Sequence, residues 1–192
     1  MHMTEDLKER IIDVAIEEFT LVGLKFTMND IARKLGISKK TIYTIFGSKQ
    51  DVLVGIADRY SADFRSMQQE IEKNTGLTAE QKFEGILLAL PEKYHNIGLN
   101  RLYELSVKYP RQYEYLMESV NTGWKIAERY LHEGIENAEF RADISVPVFM
   151  SMVKGTVGMF MRSSVLYDNN MTYEEGKHEM VRILIKGIQT NG

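Results

Sequence analysis

The chain has 192 residues, of which 44% are apolar and 27% charged, with a formal net charge of -3 and no cysteine. That balance belongs to an ordinary globular protein, long enough to bury a core and to divide into a small and a larger part. It excludes disulfides, thiolate metal sites and thiol nucleophiles, and it suits a reducing compartment. The opening residues MHMTEDLKER are polar, so no secretory signal is expected. The longest apolar stretch, Val146 to Met161, is interrupted by Lys154 and is too short to span a bilayer. Helix-period patterns recur with caps between them and no stretch alternates convincingly, so the expected class is all-α.

The first expected element is an amphipathic helix with Ile12, Ala15, Ile16 and Phe19 on its buried stripe, ended by Gly23. After Phe26, Thr27 can cap a short helix whose inner face is Ile31, Ala32 and Leu35. Gly36 follows where a sharp turn needs a left-handed residue, and Ile37 is expected as a buried wedge. Ser38 caps the next short helix. On it Ile42, Ile45 and Phe46 face inward, Lys40 and Thr44 face outward, and Lys39, Thr41 and Tyr43 flank them. A short helix that packs with one face and offers cations and hydroxyls on the other suits insertion into a DNA major groove. Ser48-Lys49, with Leu53, opens a locking helix expected to reach about Asn74. Across positions 25 to 49, Lys25, Arg33, Lys34, Lys39, Lys40 and Lys49 meet a single acid, Asp30, on a chain that is acidic overall. Local cationic character of that kind indicates a phosphate-facing surface.

In their order, the first amphipathic helix, Gly23, Phe26-Thr27, Ile31-Ala32, Gly36-Ile37-Ser38, Thr41-Ile42-Tyr43, Phe46, Ser48-Lys49 and Leu53 resemble the DNA-binding end of the TetR family of bacterial transcriptional regulators. The resemblance covers about the first quarter of the chain; beyond it only length and helical character match. One departure is Lys40, where many members carry glycine or another small residue. The resemblance implies an N-terminal three-helix helix-turn-helix domain over residues 1–48, joined by a long helix to a C-terminal helical ligand-binding and dimerisation domain over residues 49–192. It also implies a cytoplasmic homodimer that binds double-stranded, (pseudo)palindromic operator DNA, most often as a repressor released by a small-molecule effector, with no cofactor. The DNA-contacting set would be Thr27, Ser38, Lys39, Lys40, Thr41, Tyr43, Thr44 and Lys49. Lys40 and Thr44 stand central to base reading, while Lys49 and the Thr27 cap serve backbone phosphates.

Thr75-Gly76 breaks the chain after the locking helix, and Thr78-Ala79-Glu80-Gln81 reads as a capping box opening another helix that Pro91 kinks or ends. A short helix through Leu102 and Leu105 stops before Pro110, which can start a long one carrying Tyr113, Leu116, Val120, Trp124, Ala127 and Leu131. Ser145 before Val146-Pro147 starts the next. Thr172-Tyr173-Glu174-Glu175 is a further capping box, and the final helix carries Met180, Ile183, Leu184 and Ile188.

The helix from Val146 is apolar over much of its circumference, which makes it either central to its domain or shared with a partner. Members of the resembled family commonly pair their last two helices about a twofold axis. On that implication Phe149, Val153, Val157 and Phe160, with Ile183 and Ile188, are the expected dimer interface, and Gly155 and Gly158 would allow close approach. In the middle of the chain, Phe64, Met67, Phe83, Tyr94, Tyr103, Met117 and Trp124 are candidates for a ligand cavity, although any one of them could equally be core. They would favour a mainly apolar or aromatic compound with one or two polar groups.

No nucleophile elbow, phosphate loop or HExxH pattern is present, so no enzyme chemistry is expected. His132 with Glu136, and Glu174 with His178, are pairs that ordinary exposed helices carry, and no metal site is expected from them. Two alternatives remain: an architectural or cell-division DNA-binding protein on the same scaffold, and an orphan helical enzyme.

Overall fold

The computed structural model describes residues 2–95 and 97–190. Its α-helices are α1 His2–Val22, α2 Met28–Leu35, α3 Lys39–Ile45, α4 Lys49–Lys73, α5 Ala79–Leu88, α6 Leu99–Lys108, α7 Pro110–Glu136, α8 Val146–Arg162, α9 Val165–Asp168 and α10 Tyr173–Lys186. Short 3-10 turns occupy Gly23–Lys25 and Glu92–Tyr94. Among the described residues the extended pairing is an isolated bridge between Phe140 and Gln189, so the fold is all-α as expected.

Local chemistry sets the helix boundaries. Thr27, Thr78 and Thr172 each accept a bond from the backbone N–H three residues on, and Asp30, Gln81 and Glu175 return one from the threonine's own N–H. Such reciprocal bonds satisfy donors that a helix start leaves unmade. Gly36 ends α2 at a φ of 67°, where a residue without Cβ escapes the usual penalty. Ile37, expected as a buried wedge, is only half-buried; its N–H bonds to the Ala32 carbonyl at 3.0 Å, so it helps close α2. Ser145 precedes α8 without a side-chain cap bond.

The chain forms two compact units, one of Met1–Ala62 with Asn96–Glu118, the other of Asp63–His95 with Ser119–Gly192. Helices α4 and α7 each contribute to both. In the first unit, Ile11, Ile12, Ala15, Ile16 and Phe19 of α1 are buried together with Ile31, Ala32, Ile42, Phe46, Val52 and Leu53. Helix α4 presses closely on this cluster: a Cβ on Gly55 would lie 2.4 Å from Ile12 Cδ1 and 3.2 Å from Phe46 Cε1. Arg59 of α4 adds ion pairs to Glu9 and Asp13 of α1. Pairs this exposed contribute no more than about 1 kcal/mol, so the apolar cluster carries the stability.

In the second unit, Phe83 stands edge-on to Phe140 with ring centres 5.7 Å apart and 6.1 Å from the Phe149 ring. Helix α5 is held at both ends by side chains from elsewhere in this unit. Glu139 accepts from the N–H groups of Ala79 and Glu80, at 3.3 and 2.6 Å. Lys177 of α10 donates to the Leu88 carbonyl at 3.0 Å and to that of Ala89 at 3.4 Å. A carboxylate at the start of a helix and an ammonium at its end both suit its dipole. Burial pushes the Lys177 ammonium down to about 8, against the opposing pull of Glu174.

The residues expected at a dimer interface differ in burial. Phe149, Val153, Val157 and Phe160 of α8, and Ile188 beyond α10, are buried inside the second unit, so they are core of the single chain. Ile183 is 55% exposed, and the outer side of α8 carries Val148 at 59%, Met152 at 51% and Met159 at 47% exposure. A helix with apolar residues on several sides has more than one candidate inner stripe. Contact between Phe83 and Phe149 decides which one turns in.

Candidate nucleic-acid interface

Helix α3 is anchored by Ile42, which is fully buried, and by the buried Phe46 at its end. Lys39, Lys40, Tyr43 and Thr44 are exposed and Thr41 is half-buried. Ser38 caps the helix, accepting from the Thr41 N–H at 3.0 Å, and its hydroxyl lies 2.8 Å from that of Thr41. Thr44 donates its hydroxyl hydrogen to the Thr41 carbonyl at 2.6 Å. In this rotamer the Thr44 oxygen can only accept, from an adenine or cytosine amino group, and its methyl is available to a thymine methyl. Tyr43 is covered on one side by Lys39, whose Nζ lies 5.6 Å from the ring centre.

Two residues expected to hold phosphates are committed elsewhere. Thr27 gives both its N–H and its hydroxyl hydrogen to Asp30 Oδ2, at 2.9 and 2.7 Å. Those bonds, the side-chain one first, hold the Asp30 carboxyl below its ordinary range, and Arg33 adds to them at 3.0 Å. The start of α2 is therefore already occupied by a carboxylate. Lys49, also expected at a phosphate, has its Nζ turned onto the carbonyls of Leu24 and Phe26, at 2.6 Å each, and 4.2 Å from the Phe26 ring centre. Burial, then the nearby Lys108 charge, lowers its pKa.

The cationic surface is accordingly smaller than the sequence suggests. Lys34 is paired with Glu17 and Glu18 of α1, at 3.0 and 3.1 Å, and the bond to Glu17 leads in raising its pKa. Lys25, Lys39 and Lys40 remain exposed without a carboxylate partner among the described residues. Asp30 and the acids of α1 were the signal to weigh: each lies one helical turn from a cation or on the neighbouring helix, and pairing cancels the field that a count of lysines implies.

The candidate cavity residues divide between the units. Phe64, Met67, Phe83, Tyr94 and Trp124 lie in the second, whereas Tyr103 and Met117 lie in the first. Tyr103 is 54% exposed on α6. Phe83 is core, through Phe140 and Phe149. Tyr94 is buried with its hydroxyl donating to Asp63 Oδ2 at 2.8 Å, while Lys93 pairs with the same oxygen at 2.7 Å. Trp124 and Met67 are half-buried. Sequence reasoning missed Gln68, buried on α4 with neither amide atom hydrogen-bonded among the described residues. Its Nε2 lies 2.8 Å from where a Gly123 Cβ would sit, and Phe64 Cε1 lies 2.7 Å from the same point. Among the described residues no three His, Cys, Asp or Glu side chains converge as a metal site, and no helix is long and apolar enough to cross a membrane.

Residues 11–56 match the sequence profile described as bacterial regulatory proteins, tetR family. Over nearly its whole length the chain is similar to the uncharacterised HTH-type transcriptional regulator YvaF of Bacillus subtilis, 25% identical with 91% of this chain and 93% of the relative covered. Its fold is like that of the transcriptional regulator FadR from Bacillus subtilis in complex with stearoyl-CoA, with a TM-score of 0.68, 22% identity, and 94% of this chain and 99% of the other covered. It is also like a transcriptional regulator from Saccharomonospora viridis in complex with choline, with a TM-score of 0.80, 17% identity, and 97% and 100% coverage.

Proposed function

We propose that this chain, whose residues 11–56 match the tetR-family profile, is a TetR-family helix-turn-helix DNA-binding transcriptional regulator, a cytoplasmic homodimeric repressor released from a pseudopalindromic operator by a mainly apolar effector. The observation that carries the DNA reading is the outer face of α3, where Lys39, Lys40, Tyr43 and Thr44 stand exposed on a helix whose opposite side is locked by Ile42 and Phe46. Residues 1–48 form the DNA-binding part and residues 49–192 the part that dimerises and senses. Lys40 and Thr44 read base edges, Lys39, Thr41, Tyr43 and Ser38 support them, and Lys25 joins them as a phosphate contact. A dimer presents two such helices, so half-sites about 34–36 Å apart, or a multiple of that, are expected.

The exposed apolar side of α8, with Val148, Met152 and Met159, and Ile183 of α10 are the surface we assign to the partner protomer. For the effector, Phe64, Met67 and Trp124 offer apolar contact, and Gln68 offers a donor and an acceptor that have no hydrogen-bond partner among the described residues. A buried amide left so costs about 1–3 kcal/mol per group, which a ligand carrying an amide, acid or ester would recover. An acyl chain fits this chemistry, and FadR in its complex holds stearoyl-CoA. The protein acts by binding, and no turnover is required of it.

Selection of duplexes from a random pool by the purified protein tests the reading. Enrichment of an inverted repeat, bound by a dimer and released by an amphipathic compound, is the expected result. Recovery of unrelated sequences with equal affinity would overturn it.

A further inference from the structure

Two cations from different helices hold the turn between α1 and α2. Arg101 of α6 donates through Nη1 to the Phe19 carbonyl and through Nη2, at 2.9 Å, to that of Leu21. Lys49 of α4 holds the carbonyls of Leu24 and Phe26. Between these bonds lies the 3-10 turn Gly23–Lys25, entered at a Gly23 φ of 61°. Phe19 and Leu21 lie at the end of α1, where carbonyls lack helical partners, and the fork of a guanidinium can satisfy two of them at once. Apolar packing is thin there, since Leu21 and Val22 are exposed. The same side of α6 brings Glu104, whose Oε2 lies 3.6 Å from where a Gly23 Cβ would sit, and the buried Leu105.

We propose that Arg101 is a positioning residue for DNA binding: through it α6 grips the end of α1 and fixes the angle at which the helix-turn-helix leaves that helix. This rests on the reading that two protomers engage two half-sites. Arg101 touches no DNA-reading residue, yet α2 and α3 follow directly from the turn it holds. A small change of angle there alters the separation of the two α3 helices in the dimer, and that separation must match the half-site spacing. Loss of the grip therefore relaxes the choice of spacing and leaves the choice of base unchanged.

The test uses the full-length protein and the duplex that it selects from a random pool, together with the same half-sites moved apart or together by one and two base pairs. Wild type is expected to lose affinity steeply away from the selected spacing. Arg101→Gln should bind the selected duplex about tenfold more weakly, as befits two lost charge-assisted bonds, and vary little across spacings. Arg101→Lys, a cation without the fork, should fall between them. Gly23→Ala, strained at positive φ, should flatten the spacing profile from the other side of the turn and keeps the proposal testable should Arg101→Gln not fold. Sedimentation and circular dichroism establish that each variant is a folded dimer. A folded Arg101→Gln dimer with the wild-type spacing profile would overturn the proposal, as would an affinity loss uniform over all spacings and single half-sites. Failure of wild type itself to select any duplex would instead overturn the DNA-binding reading on which it rests.

Discussion

Lys49 Nζ stands 4.2 Å from the centre of the Phe26 ring and donates a 2.6 Å bond to the Phe26 carbonyl, so this lysine ties the segment before α2 to the start of α4. Its truncation is a stability change more than a loss of phosphate contact. Lys49→Ala should lower the unfolding free energy by about 2 kcal/mol, since two bonds to a charged donor go and two carbonyls lose their partner. Lys40→Ala should leave stability unchanged and reduce the slope of log affinity against log salt by about 1 per site, because an exposed cation that releases counterions is removed. Urea melts and gel-shift titrations across salt separate the two. A Lys49→Ala protein of wild-type stability with a reduced salt slope would return this lysine to the phosphates.

The outer side of α8 gives a second expectation. Met152→Asp places a charge on the apolar surface assigned to the partner protomer and should yield a folded monomer that no longer binds a two-half-site duplex. Val157→Asp buries a charge in the core of the second unit, so it should lower the melting temperature steeply before any question of assembly arises. Sedimentation beside thermal melts distinguishes them. A Met152→Asp protein that remains dimeric would move the interface to another surface.

Lys177 supplies a pH dependence. Its ammonium is pushed down to about 8 in the folded chain against an ordinary 10.5, so between those values the unfolded chain binds more protons and stability rises with pH. Below the lower value the desolvation penalty is present in full; it is relieved as pH climbs through the window. Tyr173, pushed up to about 12 by burial, stays protonated throughout, and Glu174 is the opposing charge. Compared with Lys177→Met, wild type should gain about 2 kcal/mol from pH 7 to pH 10. Equal pH profiles for the two proteins would show that the ammonium is not desolvated.

Trp124 is the chain's only tryptophan and is half-buried in the unit that contains Gln68. A long-chain fatty acid or acyl ester that releases DNA should shift Trp124 emission with the same midpoint, because the two equilibria are linked. Gln68→Leu should raise stability by about 1 kcal/mol, removing an unsatisfied amide, while weakening the effector response about tenfold. Loss of neither emission change nor response in Gln68→Leu would make this amide a core residue with no ligand.

The sequence by itself determined the longer helices and the helix-turn-helix, because caps, turn glycine and apolar period are local; the four-residue α9, Val165–Asp168, carries no such pattern. Thr27, Gly36, Ser38, Thr78 and Thr172 act on atoms within a few residues of themselves, so their pattern fixes element boundaries before any tertiary contact exists. The outward direction of Lys40 and Thr44 followed from the inward direction of Ile42 on the same short helix. Only the tertiary structure decided which cations are free and which apolar stripe is covered. Lys34 meets Glu17 and Glu18 on another helix, Lys49 and Arg101 find backbone carbonyls of α1 and the turn after it, and Phe149 turns toward Phe83. Each of these depends on helices distant in sequence, and a backbone carbonyl, which every residue carries, leaves no mark in the sequence of the cation that will seek it.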